Sequence, residues 1–216
     1  MNVSICRIND ASEQSIEQAL EHLSLAGLDA VECTRLRGIR HLSARAAGVG
    51  ARLALLWALT DGGERGFVHD FCDFPPAPGK PLASLARAES GAPLLTDDAR
   101  SVSFAHNDRL AVCALSHTGR VGVDVEMSDR RIARADDIAA RYFSTGERAF
   151  LDAASDRDRA FLAIWTRKEA LGKALGTGLN AAPATLDTTA VAADRFFERV
   201  VEGALVSVCV LAKVES

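Results

Sequence analysis

A mixed α+β fold is what the sequence predicts, from three observations. The stretch "RVGVDVE" at 120–126 alternates β-branched residues with others at period two, as a strand does. The segments "SEQSIEQALEHLSLAGL" (12–28) and "RDRAFLAIWTRKEALGKALG" (157–176) repeat apolar residues at helical spacing. Finally, "SVSFA" and "LAVCALS" read as two strands around a "HNDR" turn at 106–109. A chain of 216 residues suits one large domain or two small ones, and its 48% hydrophobic content is ample for a core.

In chain order, residues 1–9 read as a short strand, followed by the helix carrying Ile16, Leu20 and Leu23 on one face. "RHLSARAAGVGARLALLWAL" (40–59) reads as a longer helix, although Gly48 and Gly50 weaken that pattern. "FPPAPGKP" (74–81) is a loop, because its prolines fit neither a helix interior nor a central ladder. After the three strands 101–105, 110–116 and 120–126 the chain turns polar past Met127, with helical character from Ile132 to Tyr142. "STGERAFLDAA" places Ser144 and Glu147 in the S-x-x-E arrangement of a capping box. The long helix that follows ends at Gly176 or Gly178, either of which suits a C-cap. The tail carries two strand-like runs, near 185–192 and 203–212, and no sequence repeat stands out.

The net charge of −4 does not suggest a nucleic-acid binder. Arg35, Arg37, Arg40, Arg45 and Arg52 nevertheless fall in one short span, as a local anion site or a solvated face. Cys6, Cys33, Cys72, Cys113 and Cys209 are odd in number and contain no C-x-x-C pair, which argues against structural zinc and a disulfide framework. Reduced thiols in a cytoplasmic protein are the expectation. The N-terminus, "MNVSICRINDASEQ", has no basic region followed by an apolar run, so no signal peptide is expected. The apolar stretches look too short to span a membrane.

Three groups of residues carry candidate chemistry. Asp124 and Glu126, at i and i+2 of a strand, share a face and lie about 6.5–7 Å apart along it. Adjacent ionised carboxylates repel, and a hard divalent cation such as Mg²⁺ relieves that repulsion. The alternative is an exposed edge face with two solvated acids. Glu169 and Lys173 form an i,i+4 pair flanked by Lys168, either a surface ion pair or a metal ligand beside phosphate-binding ammonium groups. His106 closes a strand, where loops present functional groups, and is otherwise simply an exposed histidine. G-x-S-x-G, H-E-x-x-H, P-loop and Rossmann glycine patterns are absent.

In order and spacing, "VGVDVE", "FSTGERAFL" and "WTRKEALGKALGTGL" closely resemble the 4′-phosphopantetheinyl transferase family of the Sfp type. That family is marked by a G-[IV]-D-[IVL]-E strand followed, some forty residues on, by a W-x-x-K-E-A-x-x-K helix ending in G-x-G-L, and every one of those positions is filled here. The resemblance covers roughly residues 35–180. It implies a monomer of two similar α/β subdomains, 1–118 and 119–216, related by a pseudo-twofold axis with the active site in the cleft between them. It also implies transfer of the phosphopantetheine arm of coenzyme A to a serine of an acyl or peptidyl carrier protein, with release of adenosine 3′,5′-bisphosphate.

On the same resemblance Asp124, Glu126 and Glu169 are ligands of Mg²⁺, with Mn²⁺ an alternative. Lys173 lies near the α-phosphate and Lys168 supports the same region. Glu147 is a candidate base or metal ligand, with Glu169 the rival base and the capping role of Glu147 still open. His106 matches a contact to the 3′-phosphate, and Arg37, Arg40 and Arg52 match positions that grip the phosphates of the cofactor. Two departures stand out. Ala105 replaces a serine of the S-x-S-H pattern, and Ala92 in "SGAPLL" occupies the basic position of G-[KR]-P, with Lys80 a dozen residues too early. A catalytically weak regulatory relative that binds coenzyme A or carrier proteins, and a metal-dependent phosphohydrolase, are the rival readings. Fatty-acid, polyketide and nonribosomal peptide carriers all fit as partners, and no nucleic-acid or membrane partner is expected.

Overall fold

The computed structural model describes residues 1–60, 67–75, 79–96, 98–177, 186–191 and 193–212. The chain divides into two compact units, Met1–Thr118 and Gly119–Ser216.

The N-terminal unit runs β1 (Asn2–Arg7), α1 (Glu13–Leu25), α2 (Ala30–Arg37), α3 (Leu42–Thr60), β2 (Phe67–His69), β3 (Leu85–Arg87), β4 (Pro93–Leu95), β5 (Ser101–His106) and β6 (Leu110–Ser116). One sheet has the order β2-β1-β6-β5, and β3 and β4 form a separate hairpin. Helix α1 starts where Ser12 and Ser15 cap each other reciprocally, and it buries Ile16, Leu20 and Leu23 as its spacing predicts. Helix α2 is an addition to the sequence reading. It begins on the cap Asp29 and buries only Cys33 and Leu36, too few apolar residues for a period to show. Strands β2, β3 and β4 escape notice for a similar reason, since three residues display no alternation.

Helix α3 corrects one expectation. By length and composition it is apolar enough to cross a membrane, but most of that stretch is buried inside the unit. Its alanines and leucines form the centre of the core with α1 and the sheet. Gly50 shows how closely it lies on that sheet: a Cβ there would stand 2.6 Å from Ile8 Cγ2 and 3.1 Å from Ala111 Cβ.

The C-terminal unit runs β7 (Gly119–Met127), α4 (Ala135–Tyr142), α5 (Thr145–Ala153), α6 (Arg157–Leu175), β8 (Phe196–Val201) and β9 (Ala204–Ala212). Its sheet has the order β7-β9-β8, antiparallel throughout, with Asp124 opposite Ser207 and Glu126 opposite Leu205. Helix α6 is capped by Asp156 and ends at Gly176, whose φ of 75° only glycine adopts readily. Gly178 lies outside the described residues. Phe143, Leu151, Phe161 and Ile164 pack α4, α5 and α6 together.

The strand expected near 185–192 is not there. Residues 185 and 192 lie outside the described residues, and between them Asp187 accepts hydrogen bonds from the Thr189 N–H at 2.9 Å and its hydroxyl at 2.5 Å. That local bonding makes a turn, and the strand forms later, as β8, after a 3₁₀ turn at Ala193–Arg195. The run near 203–212 is strand β9.

The two units share an order of elements without sharing a sequence repeat. Among the described residues each begins with a strand and three helices and ends with two strands, the last of which pairs between the first and the one before it (β1-β6-β5 and β7-β9-β8); the N-terminal unit adds β2 at its sheet edge and the β3–β4 hairpin in between.

Candidate active site in the C-terminal unit

Both faces of β7 are covered, so Asp124 and Glu126 do not sit on a solvated edge. They are 9% and 8% exposed, beneath α6. The glycine that shares their face explains the arrangement. A Cβ at Gly122 would lie 1.9 Å from the Ala170 carbonyl oxygen and 2.5 Å from the Ala174 nitrogen. Absence of that one carbon brings the α6 backbone down onto β7, and Lys173 with it. The Lys173 Nζ donates to the Val123 carbonyl at 2.8 Å and to Asp124 Oδ1 at 2.9 Å. Opposite Asp124 on β9, Ser207 bonds the Thr166 hydroxyl of α6 at 2.8 Å and donates to Glu198 at 3.2 Å. These ties fix the helix on the sheet.

The electrostatics of this contact are unbalanced. Glu126 pairs with Arg130, a partner the sequence reading missed because an i,i+4 spacing carries no signal outside a helix. Glu169 lies close enough to feel both other acids. Burial, reinforced by the charges of Asp124 and Glu126 and only partly offset by Lys173, pushes its carboxyl from an ordinary 4.5 up to about 7. Asp124 Oδ2 is buried with no hydrogen-bond partner. Three carboxylates, one of them with an orphaned oxygen, against Lys173 and Arg130 are a donor set short of positive charge, which suits a hard divalent cation. Among the described residues no three acidic, histidine or cysteine side chains stand close enough to enclose a metal ion in this conformation.

Glu147 and Lys168 occupy a different place from these groups. They form a fully buried ion pair of 2.9 Å, with side chains 0% and 1% exposed. Glu147 also accepts from the Ser144 N–H at 2.7 Å, the Thr188 N–H at 2.8 Å and the Thr188 hydroxyl at 2.7 Å. The Lys168 ammonium donates to the Leu186 carbonyl at 2.6 Å. The capping role of Glu147 is therefore present, and its oxygens and the Lys168 ammonium are spent on tying residues 186–188 to α5 and α6.

The basic candidates of the N-terminal unit are dispersed over several partners. Arg37 is exposed and pairs with Glu17 at 2.9 Å, and Arg40 is exposed. Arg52 is 5% exposed, pairs with Glu32 at 2.6 Å and stacks over Phe104 at 4.8 Å. It sits on α3 among buried residues, and nothing in the sequence distinguishes it from the exposed Arg35, Arg37 and Arg40. His106 is exposed at the end of β5. A cavity of about 560 Å³ in the C-terminal unit, lined by Asp156, Arg159, Leu162, Glu198 and Val200 among others, does not reach Asp124, Glu126 or Glu169.

Residues 120–206 match the sequence model of the 4′-phosphopantetheinyl transferase superfamily. Over 103 residues the chain is 34% identical to the 4′-phosphopantetheinyl transferase HetI of Nostoc sp. (strain PCC 7120 / SAG 25.82 / UTEX 2576). That match spans 47% of this chain and 40% of the relative, so less than half of either protein is compared. The matched segment contains α6, all but the first residue of β7 and all four residues of the strand–helix contact, so the likeness to the 4′-phosphopantetheinyl transferase superfamily is concentrated on the candidate site.

Proposed function

We propose that this protein is a transferase of the Sfp type, which moves the 4′-phosphopantetheine arm of coenzyme A onto a serine of an acyl or peptidyl carrier protein. The observation that carries the reading is the gathering of Asp124, Glu126, Glu169 and Lys173 by one strand–helix contact, inside the segment that matches the superfamily. The serine Oγ attacks the phosphorus that bears the pantetheine arm. The bond from that phosphorus to the bridging oxygen breaks, and adenosine 3′,5′-bisphosphate leaves with the electron pair. The serine proton passes to Glu169, since Glu147 is enclosed and fully engaged. Lys173, held in place by the Val123 carbonyl, stabilises the charge that grows on the leaving phosphate. A Mg²⁺ or Mn²⁺ ion bound by Asp124, Glu126 and Glu169 would supply Lewis-acid stabilisation of the pyrophosphate.

His106, Arg37 and Arg40 are the proposed contacts to the phosphates at the adenosine end of coenzyme A, and Lys168 holds α6 in place from within. The repeated order of elements in the two units supports the two-half architecture of that type. The setting proposed is a cytoplasmic monomer serving fatty-acid, polyketide or nonribosomal peptide carriers.

The test is mass spectrometry of an apo carrier protein incubated with coenzyme A, Mg²⁺ and this protein. A phosphopantetheine mass increase that a chelator abolishes is expected. An unmodified carrier, with coenzyme A still bound in calorimetry, would make the protein a binding module instead.

A further inference from the structure

Asp124, Glu126 and Glu169 share one strand–helix contact, yet in this conformation they do not close around a common point. Two side-chain cations hold the carboxylates there instead: Lys173 is on Asp124 and Arg130 is on Glu126.

The two cations are bound differently. The Lys173 ammonium has a second acceptor, the Val123 carbonyl at 2.8 Å, which belongs to the strand backbone and stays in place whatever Asp124 does. Arg130 meets Glu126 through one nitrogen, Nη1, and one oxygen, Oε2, and its guanidinium has no other acceptor among the described residues. Elsewhere in the same unit Arg167 uses two nitrogens on Glu198, the stronger form of the contact. The Arg130 side chain is 52% exposed, against 31% for Lys173. A pair with one hydrated partner contributes little to stability, so Arg130 is the cation that can leave.

The backbone explains how Arg130 comes to be there. The Arg130 N–H donates to the Met127 carbonyl at 3.0 Å, closing a turn directly after β7, and the Ser128 N–H donates to the Gly203 carbonyl at 2.8 Å. This turn returns Arg130 to the end of the strand beside Glu126. Its side chain can swing away into solvent without breaking either backbone bond.

A divalent ion changes the charge balance. Together with Lys173 it neutralises three ionised carboxylates, and a retained Arg130 would add one positive charge that repels it. We propose that Arg130 is a displaceable counter-ion: it holds Glu126 in the metal-free protein, gives that carboxylate up when a divalent cation binds, and so sets the metal affinity by competition. The inference rests on the metal-assisted transferase reading above.

Calorimetric titration of chelator-treated protein with Mg²⁺ and with Mn²⁺ tests it in the wild type, Arg130→Gln and Arg130→Lys, beside thermal denaturation of the metal-free and metal-saturated forms. Arg130→Gln should bind either ion about fivefold more tightly, the reach of a half-exposed charge pair. It should melt below the wild type without metal and level with it when both are saturated at the same concentration, because by linkage the affinity regains what the metal-free state loses. Arg130→Lys keeps the charge and should stay near the wild type in both measurements. Unchanged or weaker binding by Arg130→Gln, or a melting difference that persists in the saturated forms, overturns the displacement and leaves the transferase reading standing. A wild type that binds neither ion overturns the metal site of that reading and this inference together.

Discussion

The two units solve the same packing problem and arrive at opposite electrostatics. In each, a glycine lets a long helix lie on the sheet: Gly50 on α3 in the N-terminal unit, Gly122 on β7 in the C-terminal unit. In the first, three arginines surround Glu32. Burial pushes that carboxyl up, but hydrogen bonds from Arg35 and Arg87 and the charge of Arg52 outweigh it and hold the group well below the usual carboxylate range. In the second, Asp124 and Glu126 crowd Glu169, and its carboxyl rises to about 7. The cluster around Glu32 has positive charge to spare and the one around Glu169 negative. Under the proposed transferase reading, a divalent cation would answer the negative surplus around Glu169.

The largest expected contrast lies in the buried ion pairs. Lys168→Met leaves Glu147 charged in a fully closed site, which should destabilise the C-terminal unit by about 3–5 kcal/mol. Arg52→Met leaves Glu32 with two remaining guanidiniums and should cost clearly less. Urea denaturation of both variants decides it, and equal losses would show that the surplus of cations around Glu32 has no energetic meaning.

Activity should be confined as sharply. Asp124→Ala should lower carrier modification by at least ~100-fold at saturating Mg²⁺, as loss of metal-based charge stabilisation does. Near wild-type turnover in that variant would remove the carboxylates from the mechanism.

The glycines offer a finer comparison. An alanine at Gly122 meets backbone at 1.9 Å, which cannot move without shifting α6, so a loss of about 1–3 kcal/mol or more is expected. At Gly50 the nearest atoms are Ile8 Cγ2 at 2.6 Å and Ala111 Cβ at 3.1 Å, stiff buried side-chain atoms that must give way, while alanine favours the helix by about 1 kcal/mol. Gly50→Ala should therefore destabilise less than Gly122→Ala in thermal denaturation, and an equal or larger cost would refute the distinction.

The smallest effect is a difference in pH response. Glu169 has a raised pKa, so in metal-free protein the unfolded state releases its proton first as pH rises from 4.5 to about 7, and stability falls across that window. Glu32 has a depressed pKa, so its contribution is complete above 4.5 and is lost as pH falls below it. Trp57 on α3 and Trp165 on α6 report the two units separately in Trp165→Phe and Trp57→Phe variants. Between pH 4.5 and 7 the urea midpoint seen by Trp165 should drop while that seen by Trp57 holds; parallel shifts would contradict the opposed charge balance.

Much of this was already present in the order of residues. The period-two run at 120–126, the Ser144–Glu147 capping box and the helix ending at Gly176 depend on neighbours a few positions apart, and local periodicity reports such elements faithfully. Chemistry and spacing left Asp124 and Glu126, and separately Glu169, each with a solvated alternative, and only the family resemblance grouped the three acids as one set. What no local pattern contains is which face is covered and by what. Whether Asp124 and Glu126 were solvated or buried depended on α6 meeting Gly122 through the Ala170 carbonyl, 48 residues further along the chain. Glu147, Lys168 and Arg52 look in sequence like any charged residue on a helix, yet tertiary packing encloses each with a partner at least eighteen residues away. Burial and long-range pairing are properties of the folded chain, because the energy of a charge depends on what surrounds it in space rather than on what adjoins it in sequence.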